Sequence, residues 1–238
     1  MTVPIALFVY NRPDTLTRTL DALQTDNVPL LYIFSDAPKR PAHDDGVQQV
    51  RDLIHRIDWT ETHIIERESN YGLGRSILSG VSHVLEQHEA IIVFEDDLIC
   101  APGTYRYFSD VLQHYRDESR VMSITAWNNT ELIPKGVTAP YLDGRAESWT
   151  WATWRRAWHG LNHTDAMTLL HDYRRSDRDV RRYGEDVPAM ALMEAERNLW
   201  LVRWILWHLV NDGLCLRPPH TMVEHIGYGT TASNAPDS

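Results

Sequence analysis

The stretch Ala90-Ile91-Ile92-Val93-Phe94-Glu95-Asp96-Asp97-Leu98 lies near the middle of the chain, and it determines how the rest of the sequence is interpreted. Its apolar residues run directly into three consecutive acids. An apolar run of this length predicts a strand that is buried on both faces of a parallel sheet. Ligands bind beyond the carboxyl ends of such strands, and adjacent carboxylates there repel one another unless a cation lies between them. The stretch therefore predicts either a divalent metal site with oxygen ligands or a solvated acidic turn.

Three other apolar runs precede this stretch, and a helical pattern follows each of them. In the first of these helices Leu16, Leu20 and Leu23 recur at i, i+4 and i+7, which gives one apolar stripe for packing on a sheet. Alternating strands and helices predict a mostly parallel sheet with right-handed crossovers, the architecture of nucleotide-binding folds. The predicted strands are residues 5–10, 30–34 and 63–67, and the predicted helices follow Pro13, span residues 44–56 and follow Ser76.

The pattern is less regular after the acids. Residues 105–115 keep helical spacing, residues 121–125 form a short strand pattern, and residues 128–144 have the composition of a loop. The charge run at residues 174–182 is typical of a solvated helix face or a mobile loop. We further expect helices at residues 148–158, 165–173 and 189–210, and a small strand at residues 214–216.

Composition limits the classes of protein to be considered. A formal net charge of -10 argues against nonspecific binding of nucleic acid, because no basic surplus exists to displace phosphate counterions. The two cysteines, Cys100 and Cys215, match no zinc or redox spacing, which favours a reducing, cytoplasmic location. We expect no leader segment and no membrane span, since no apolar run reaches about 18 residues. Peripheral association with a membrane stays open.

Several residues have both a functional and a structural interpretation. Gly72 and Gly74 allow close approach of a ligand to the backbone, although a dinucleotide fingerprint would need a third glycine. Arg75 either pairs with a phosphate or lies on the surface unpaired. Asp36, at the end of the second strand, either binds a ribose or base edge or stabilises a turn. The chain has no Gly-x-Ser-x-Gly elbow and no His-Glu-x-x-His spacing, so covalent hydrolase and zinc protease chemistry are unsupported.

Tryptophan is concentrated in the second half of the chain, where seven of the nine tryptophans fall within residues 149–238. Indole planes pack well against the C–H faces of sugar rings, so this enrichment suits a groove for a glycan. Tryptophan also fills ordinary cores, and the sequence leaves both interpretations open.

Linked segments make the chain resemble glycosyltransferases of the GT-A fold, specifically family 2-like transferases and N-acetylglucosaminyltransferase I. The resemblance covers roughly residues 4–160 and depends on the order of the segments more than on any one of them. The segments are Pro4-Ile5-Ala6-Leu7-Phe8-Val9-Tyr10-Asn11-Arg12-Pro13, Phe34-Ser35-Asp36, Asn70-Tyr71-Gly72-Leu73-Gly74-Arg75, Val93-Phe94-Glu95-Asp96-Asp97-Leu98, Ala101-Pro102, Tyr107-Phe108 and Ser123-Ile124-Thr125-Ala126-Trp127-Asn128.

The resemblance implies a single α/β domain of the GT-A type over residues 1–238. Residues 1–127 would bind the nucleotide sugar on a mostly parallel sheet flanked by helices, and residues 128–238 would form a helical acceptor side. The implied activity is metal-dependent transfer of a hexosyl or N-acetylhexosaminyl group from a nucleoside diphosphate sugar, most simply a UDP-sugar. The acceptor would be a hydroxyl of a glycan or small molecule, and the transfer would proceed with inversion.

The resemblance also implies roles for individual residues. Asp97, the last acid of the group, would bind the Mn²⁺ or Mg²⁺ ion that bridges the two phosphates of the donor. Glu95 and Asp96 would contact the sugar and the ribose. The remaining donor-binding residues would be Val9, Tyr10, Asn11, Arg12, Asp36, Gly74 and Arg75, and the acceptor-side tryptophans would be Trp127, Trp149 and Trp151.

The second half departs from the pattern of such transferases at the catalytic base. Relatives carry Asp-Ser-Trp or Asp-Asp-Trp, whose acid deprotonates the acceptor, whereas this chain has Asn198-Leu199-Trp200. An amide cannot act as a base, so the role would pass to Glu196, Glu185 or Asp186. The alternative is a non-catalytic module that binds nucleotide sugars or glycans. A nucleotidyltransferase is a weaker alternative, because a basic loop after the first strand is missing.

Relatives also often carry a late Gly-Thr-His whose histidine reaches the metal, and here the matching tail is Gly229-Thr230-Thr231. His225 is the nearest substitute, although the sequence favours an ordinary packed or surface histidine at this position.

Overall fold

The computed structural model describes residues 2–129, 133, 135–176, 178–197 and 199–227. The strands are β1 Ile5–Val9, β2 Leu30–Ser35, β3 Glu61–Glu66, β4 Ala90–Glu95, β5 Leu98–Cys100, β6 Val121–Thr125, β7 Tyr141–Asp143, β8 Trp151–Trp154, β9 Leu214–Arg217 and β10 Val223–His225. The helices are α1 Pro13–Thr25, α2 Asp44–Ile54, α3 Gly72–Leu85, α4 Thr104–His114, α5 Arg155–Trp158, α6 Ala166–Arg175, α7 Val187–Arg197 and α8 Trp200–Val210. Within these ranges, eight strands form one sheet in the order β3-β2-β1-β4-β8-β6-β9-β7, and β5 pairs with β10.

The first half of the sheet is parallel throughout, as the alternation of strands and helices predicts. β1 pairs in parallel with β2 and β4, and β2 pairs in parallel with β3. Alternate residues of β1 point to opposite faces of the sheet and belong to different hydrophobic cores. Ala6 and Phe8 pack with α3, whereas Ile5 and Leu7 pack with α1 and α2. Both faces are therefore covered by helices, which explains the unbroken apolar composition of the strands. The expected fold class, a mostly parallel α/β sheet flanked by helices, is confirmed.

The expected helix over residues 148–158 is wrong in its first part. Residues 151–154 form β8, which runs antiparallel between β4 and β6, and only residues 155–158 are helical. The Trp-Ala-Thr-Trp sequence has the period of a strand, because Trp151 enters the core on one face of the sheet and Trp154 enters the core on the other. The expected loop over residues 128–144 also contains a short strand, β7, at the edge of the sheet.

The expected long helix over residues 189–210 is divided into α7 and α8. Leu199 has φ -84° and ψ 69°, which is outside the helical region and ends the continuity. Glu194 of α7 then pairs with Arg203 of α8 at 2.5 Å, and its other carboxylate oxygen accepts a hydrogen bond from the amide of Ala166 at the start of α6. A buried carboxylate thus joins three helices over one face of the sheet. Across the described ranges, no helix combines the length and apolarity needed to span a bilayer.

Candidate active site

Polar side chains meet at one edge of the sheet because β1, β2 and β4 are parallel and end at that edge. Residues 10–12 follow β1, Asp36 follows β2, and the acids follow the buried residues of β4. The backbone amide of Tyr10 donates to Asp96 at 3.0 Å, which fixes the two strand ends together. The edge therefore carries the carboxylates that the sequence predicts, in the position where α/β folds bind ligands.

A guanidinium holds the two aspartates at the centre of the site. Nη2 of Arg12 lies 2.6 Å from Oδ1 of Asp96 and 2.8 Å from Oδ2 of Asp97. Both aspartates are buried, at 3% and 6% exposure, so this pairing offsets the cost of burying their charges. Burial raises the pKa of Glu95 to about 8, and the charges of Asp97 and Asp96 add to that increase. Arg12 therefore pairs with the two aspartates, whereas Glu95 takes up a proton more readily than an ordinary carboxylate does.

His225 reaches the same site from the C-terminal part of the chain. β10 pairs with β5 so that His225 lies opposite Leu98, and its Nε2 is 3.4 Å from Oδ2 of Asp97. Burial alone raises the pKa of Asp97, but His225 and Arg12 together outweigh it and hold that pKa below its ordinary value. The backbone of Gly227 packs against the same carboxylate, since a Cβ built on this glycine would lie 2.0 Å from Oδ2 of Asp97. His225 is thus beside the acids, a position that the sequence left open.

These residues suit a hard divalent cation. The carboxylate of Asp97 supplies an oxygen ligand and the imidazole of His225 a nitrogen ligand, a donor set that Mn²⁺ accepts. Among the described residues, no three His, Cys, Asp or Glu side chains converge as a complete ligand set. Of the described residues, Asp97 and His225 would therefore supply two ligands to such an ion, and a bound molecule or water would supply others.

The donor-side residues after β1 are anchored by neighbouring loops. Val9 is buried at the end of the strand. The hydroxyl of Tyr10 lies 2.6 Å from Nδ1 of His43, just before α2. Asn11 packs tightly on that helix, because a Cβ at Gly46 would lie 2.7 Å from the carbonyl oxygen of Asn11. The loop is consequently rigid where the resemblance implies that it meets the nucleotide base.

Asp36 organises the turn that begins α3. Its carboxylate accepts hydrogen bonds from the amides of Tyr71 and Gly72, each at 2.8 Å, and from the side chain of Asn70 at 3.1 Å. Gly72 has φ +67°, a backbone conformation that glycine adopts without strain. These contacts support the interpretation that Asp36 stabilises the turn. To bind a ribose or base edge, Asp36 would have to give up one of these hydrogen bonds.

The glycine turn also presents two cations near an aromatic ring. Gly74 is buried in the first turn of α3, and Arg75 beside it is exposed. The guanidinium of Arg75 lies 3.9 Å from the centre of the Tyr71 ring, and that of Arg67 lies 4.6 Å from it. Arg75 is thus held over an aromatic face at the ligand-binding edge, from which its charge faces solvent.

The tryptophans expected on the acceptor side occupy two different environments. Trp149 is half-buried, and its ring stacks on His225 with centroids 4.7 Å apart. The ring of Trp127 makes a T-shaped contact with Trp149, with centroids 5.0 Å apart. Trp151 is only 1% exposed and stacks with the core tryptophans Trp158 and Trp200. Burial removes Trp151 from any groove, so its assignment to the acceptor side is corrected: it packs the core. Trp149 contacts His225, which lies beside Asp97, and Trp127 contacts Trp149.

The carboxylates expected to serve as bases lie on the helical side of the molecule. Asp186 forms a two-pronged pair with Arg145, with both N–O distances 2.9 Å, and this pairing lowers its pKa. Glu185 is exposed, and Glu196 is exposed in the last turn of α7. Asn198 and the tail from residue 228 lie outside the described residues.

Another carboxylate, Glu147, lies at the ligand-binding edge and was missed from the sequence. Its Oε1 is 2.8 Å from Nη2 of Arg217, and its side chain is 16% exposed. Burial raises its pKa, and the charge of Arg217 opposes that increase. The same arginine pairs with Asp143 at 2.6 Å and donates to the carbonyl of Arg145. Glu147 precedes Trp149 by two residues, but neither spacing nor composition marked it as unusual.

A sequence model of a known family, described as glycosyl transferase family 2, matches residues 5–160. The chain belongs to this family. The match begins at β1 and ends after α5, so it includes the acids after β4 and the pair Trp127 and Trp149. Membership makes the protein a glycosyltransferase by family, and the family 2 part of the resemblance is confirmed. No curated protein matches the chain.

Several solved structures resemble this family 2 chain. A mannosyltransferase of Pyrobaculum calidifontis, determined with GDP-Man and Mn²⁺, is 12% identical with a TM-score of 0.47, covering 89% of this chain and 73% of its own. A UDP-glucose pyrophosphorylase complexed with UDP-glucose is 12% identical with a TM-score of 0.41, covering 69% and 81%. A cytidylyltransferase of Leptospira borgpetersenii is 11% identical with a TM-score of 0.41, covering 82% and 73%.

Proposed function

We propose that the protein transfers a hexosyl or N-acetylhexosaminyl group from a nucleoside diphosphate sugar, most simply a UDP-sugar, to a hydroxyl of a glycan or small molecule. The observation that carries the proposal is the meeting of Asp97 and His225 at the ligand-binding edge of a family 2 chain. We propose inversion at the anomeric carbon and a cytoplasmic location. Association with a membrane surface stays a prediction.

We propose that Asp97 and His225 hold a Mn²⁺ or Mg²⁺ ion together with the donor diphosphate. A divalent cation supplies Lewis-acid stabilisation of the negative charge that develops on the diphosphate leaving group. Glu95 and Asp96 would accept hydrogen bonds from hydroxyls of the sugar and the ribose. The support is positional, since the two residues immediately precede Asp97 at the same edge.

On the acceptor side we propose a general base that takes the proton of the attacking hydroxyl. Glu147 is our first candidate, because it precedes Trp149, whose ring stacks on His225 beside Asp97. Its raised pKa suits a base, which must accept a proton in the transition state. Asp186, Glu185 and Glu196 stay as the alternatives predicted from the sequence.

A non-catalytic module that binds nucleotide sugars or glycans is the competing function. It is favoured by Asn198, which stands where relatives carry an acid, and by the arginine pairing of both Glu147 and Asp186. Carboxylates held in ion pairs are poorer proton acceptors, so such a site would bind ligands more readily than it would catalyse transfer.

Thermal unfolding with nucleotides tests donor binding. We expect UDP with Mn²⁺ to raise the melting temperature of the wild type, and Asp97→Asn to abolish the rise. Asp110→Asn is the matched control, because Asp110 is an exposed carboxylate on α4 that pairs only with its neighbour Arg106 at 3.5 Å among the contacts described. The proposal fails if no nucleoside diphosphate raises the melting temperature, or if Asp97→Asn keeps the full rise.

Release of nucleoside diphosphate from a panel of donors and acceptors separates the two functions. A transferase releases the nucleotide in the presence of a suitable acceptor, and Glu147→Gln should abolish release while keeping the thermal shift. Donor binding without release from any donor and acceptor pair would favour the binding module. Release that survives Glu147→Gln would return the role of the base to Asp186, Glu185 or Glu196.

A further inference from the structure

The oxygen through which Asp97 would bind a metal is already crowded by other groups. Nη2 of Arg12 lies 2.8 Å from this atom, Oδ2, and Nε2 of His225 lies 3.4 Å from it. Gly227 closes a third side, since a Cβ built on it would lie 2.0 Å from Oδ2 and 2.8 Å from Nη1 of Arg12. The guanidinium, the imidazole and the backbone of Gly227 thus surround the oxygen that a cation would bind.

A divalent cation and a guanidinium cannot both occupy this position. Hard cations bind carboxylate oxygens at roughly 2.0–2.6 Å, closer than the N–O distance of an ion pair. Charges of the same sign also repel strongly at such separations in a partly buried site. Arg12 has a second partner, Asp96, at 2.6 Å, so it can give up Asp97 without losing every ion pair.

We propose that Arg12 is a built-in counter-cation that competes with the metal for Asp97. It neutralises the buried aspartates before a ligand is present, and it must leave Oδ2 when a divalent cation binds. Once displaced, its guanidinium faces the donor diphosphate, an anion that arginine pairs with well. This inference rests on the proposed function, because it takes the metal and the diphosphate as the ligands of this edge.

The competition predicts effects of opposite sign in one variant. Without Arg12 the metal meets no rival at Asp97 and should bind more tightly. The same variant lacks the cation that would pair with the diphosphate, so UDP in the presence of saturating metal should bind more weakly. An arginine that merely maintained the structure of the site would weaken both ligands when it was removed.

The experiment measures Mn²⁺ binding without nucleotide, by the electron paramagnetic resonance signal of the free ion. We expect Arg12→Gln to bind Mn²⁺ at least about tenfold more tightly than the wild type, given the strength of close charge interactions in partly buried sites. With saturating Mn²⁺, calorimetry should show at least about tenfold weaker UDP binding to Arg12→Gln. Circular dichroism would establish that the variant is folded.

Two further variants keep the test decisive. Arg106→Gln removes an exposed positive charge on α4, where Arg106 pairs with Asp110 at 3.5 Å, and it should leave Mn²⁺ binding as in the wild type. Arg12→Lys keeps the charge but replaces the guanidinium, whose Nη2 contacts both aspartates, with a compact ammonium, so its Mn²⁺ affinity should fall between those of the wild type and Arg12→Gln. Arg12→Lys replaces Arg12→Gln as the deciding variant if the latter does not fold.

The inference is overturned if removal of Arg12 leaves Mn²⁺ binding unchanged or weaker, if Arg106→Gln tightens it equally, or if neither wild type nor variant binds Mn²⁺. If Arg12→Gln binds UDP as tightly as the wild type does, the proposed pairing of Arg12 with the diphosphate is refuted. Failure of the proposed function is a separate result: in that case Mn²⁺ binding responds to Arg12, but no nucleoside diphosphate raises the melting temperature of the wild type.

Discussion

Lowering the pH from 8 to 5 should destabilise the protein through one buried histidine, His208. This residue of α8 has no exposed surface, and burial lowers its pKa from 6.5 to about 4. Nδ1 donates to the carbonyl of Trp204 at 2.9 Å, so Nε2 is left to accept from the hydroxyl of Ser123 at 2.8 Å. The neutral imidazole satisfies both contacts, whereas a protonated ring would carry a buried charge with an unwanted second donor.

The sign and size of the effect follow from proton linkage. Because the pKa of His208 is lower in the folded state, the unfolded chain takes up this proton first as the pH falls below 6.5. The contribution of His208 to the free energy of unfolding is therefore complete above pH 6.5, and it is lost progressively as the pH falls to 4. Each pH unit costs about 1.4 kcal/mol, so the loss is ~2 kcal/mol at pH 5 and reaches ~3 kcal/mol once both states are protonated.

Urea unfolding of the wild type and His208→Gln at several pH values measures this contribution. Glutamine can donate and accept in place of imidazole but does not titrate, and every other titrating group is common to the two proteins. The difference between their unfolding free energies should therefore change by ~2 kcal/mol between pH 8 and pH 5. If the two curves of free energy against pH run parallel, His208 is not buried as a neutral ring and the reasoning is refuted.

Three further substitutions test the architecture around the site. Gly227→Ala places a methyl group 2.0 Å from Oδ2 of Asp97, so it should abolish the thermal shift given by UDP with Mn²⁺ while a far-ultraviolet circular dichroism spectrum stays unchanged. Glu194→Gln removes the counter-charge of the half-buried Arg203 and should cost about 3 kcal/mol of unfolding free energy in urea; a cost under ~1 kcal/mol would refute the role of this pair. Asp26→Ala removes a carboxylate that accepts two amides at the start of α4, each at 2.6 Å, and should lower the unfolding free energy by about 1 kcal/mol, with Asp110→Asn as the unaffected control.

The first half of the fold could be predicted because its signals are local. β1, β2 and β4 are apolar runs of five or six residues that end in turn residues or acids, and each is followed by a helix with its apolar side chains on one face. Buried parallel strands have no polar face to keep, so their composition alone marks them. The acids after β4 were found for the same reason, since a strand end and its charges are adjacent in the sequence.

The second half was harder because its elements are defined by distant partners. Residues 151–154 lie directly before a short helix, yet they form a strand that pairs with β4 on one side and β6 on the other. The division of residues 189–210 depends on a contact of Glu194 with α6, about thirty residues earlier along the chain. Local propensity cannot report such contacts, so tertiary packing overrode it.

The same distinction separates the residues of the site that were found from those that were missed. Asp97 could be predicted because its strand precedes it directly. His225 reaches Asp97 only through the pairing of β10 with β5, and Glu147 reaches the edge only through Arg217, a residue seventy positions away. A catalytic base needs no local pattern, because its reactivity depends on burial and on charges that the fold brings to it. Carboxylates that directly follow a strand can therefore be predicted from a single sequence, whereas residues that distant strands bring to the same edge can be identified only when the sheet is complete.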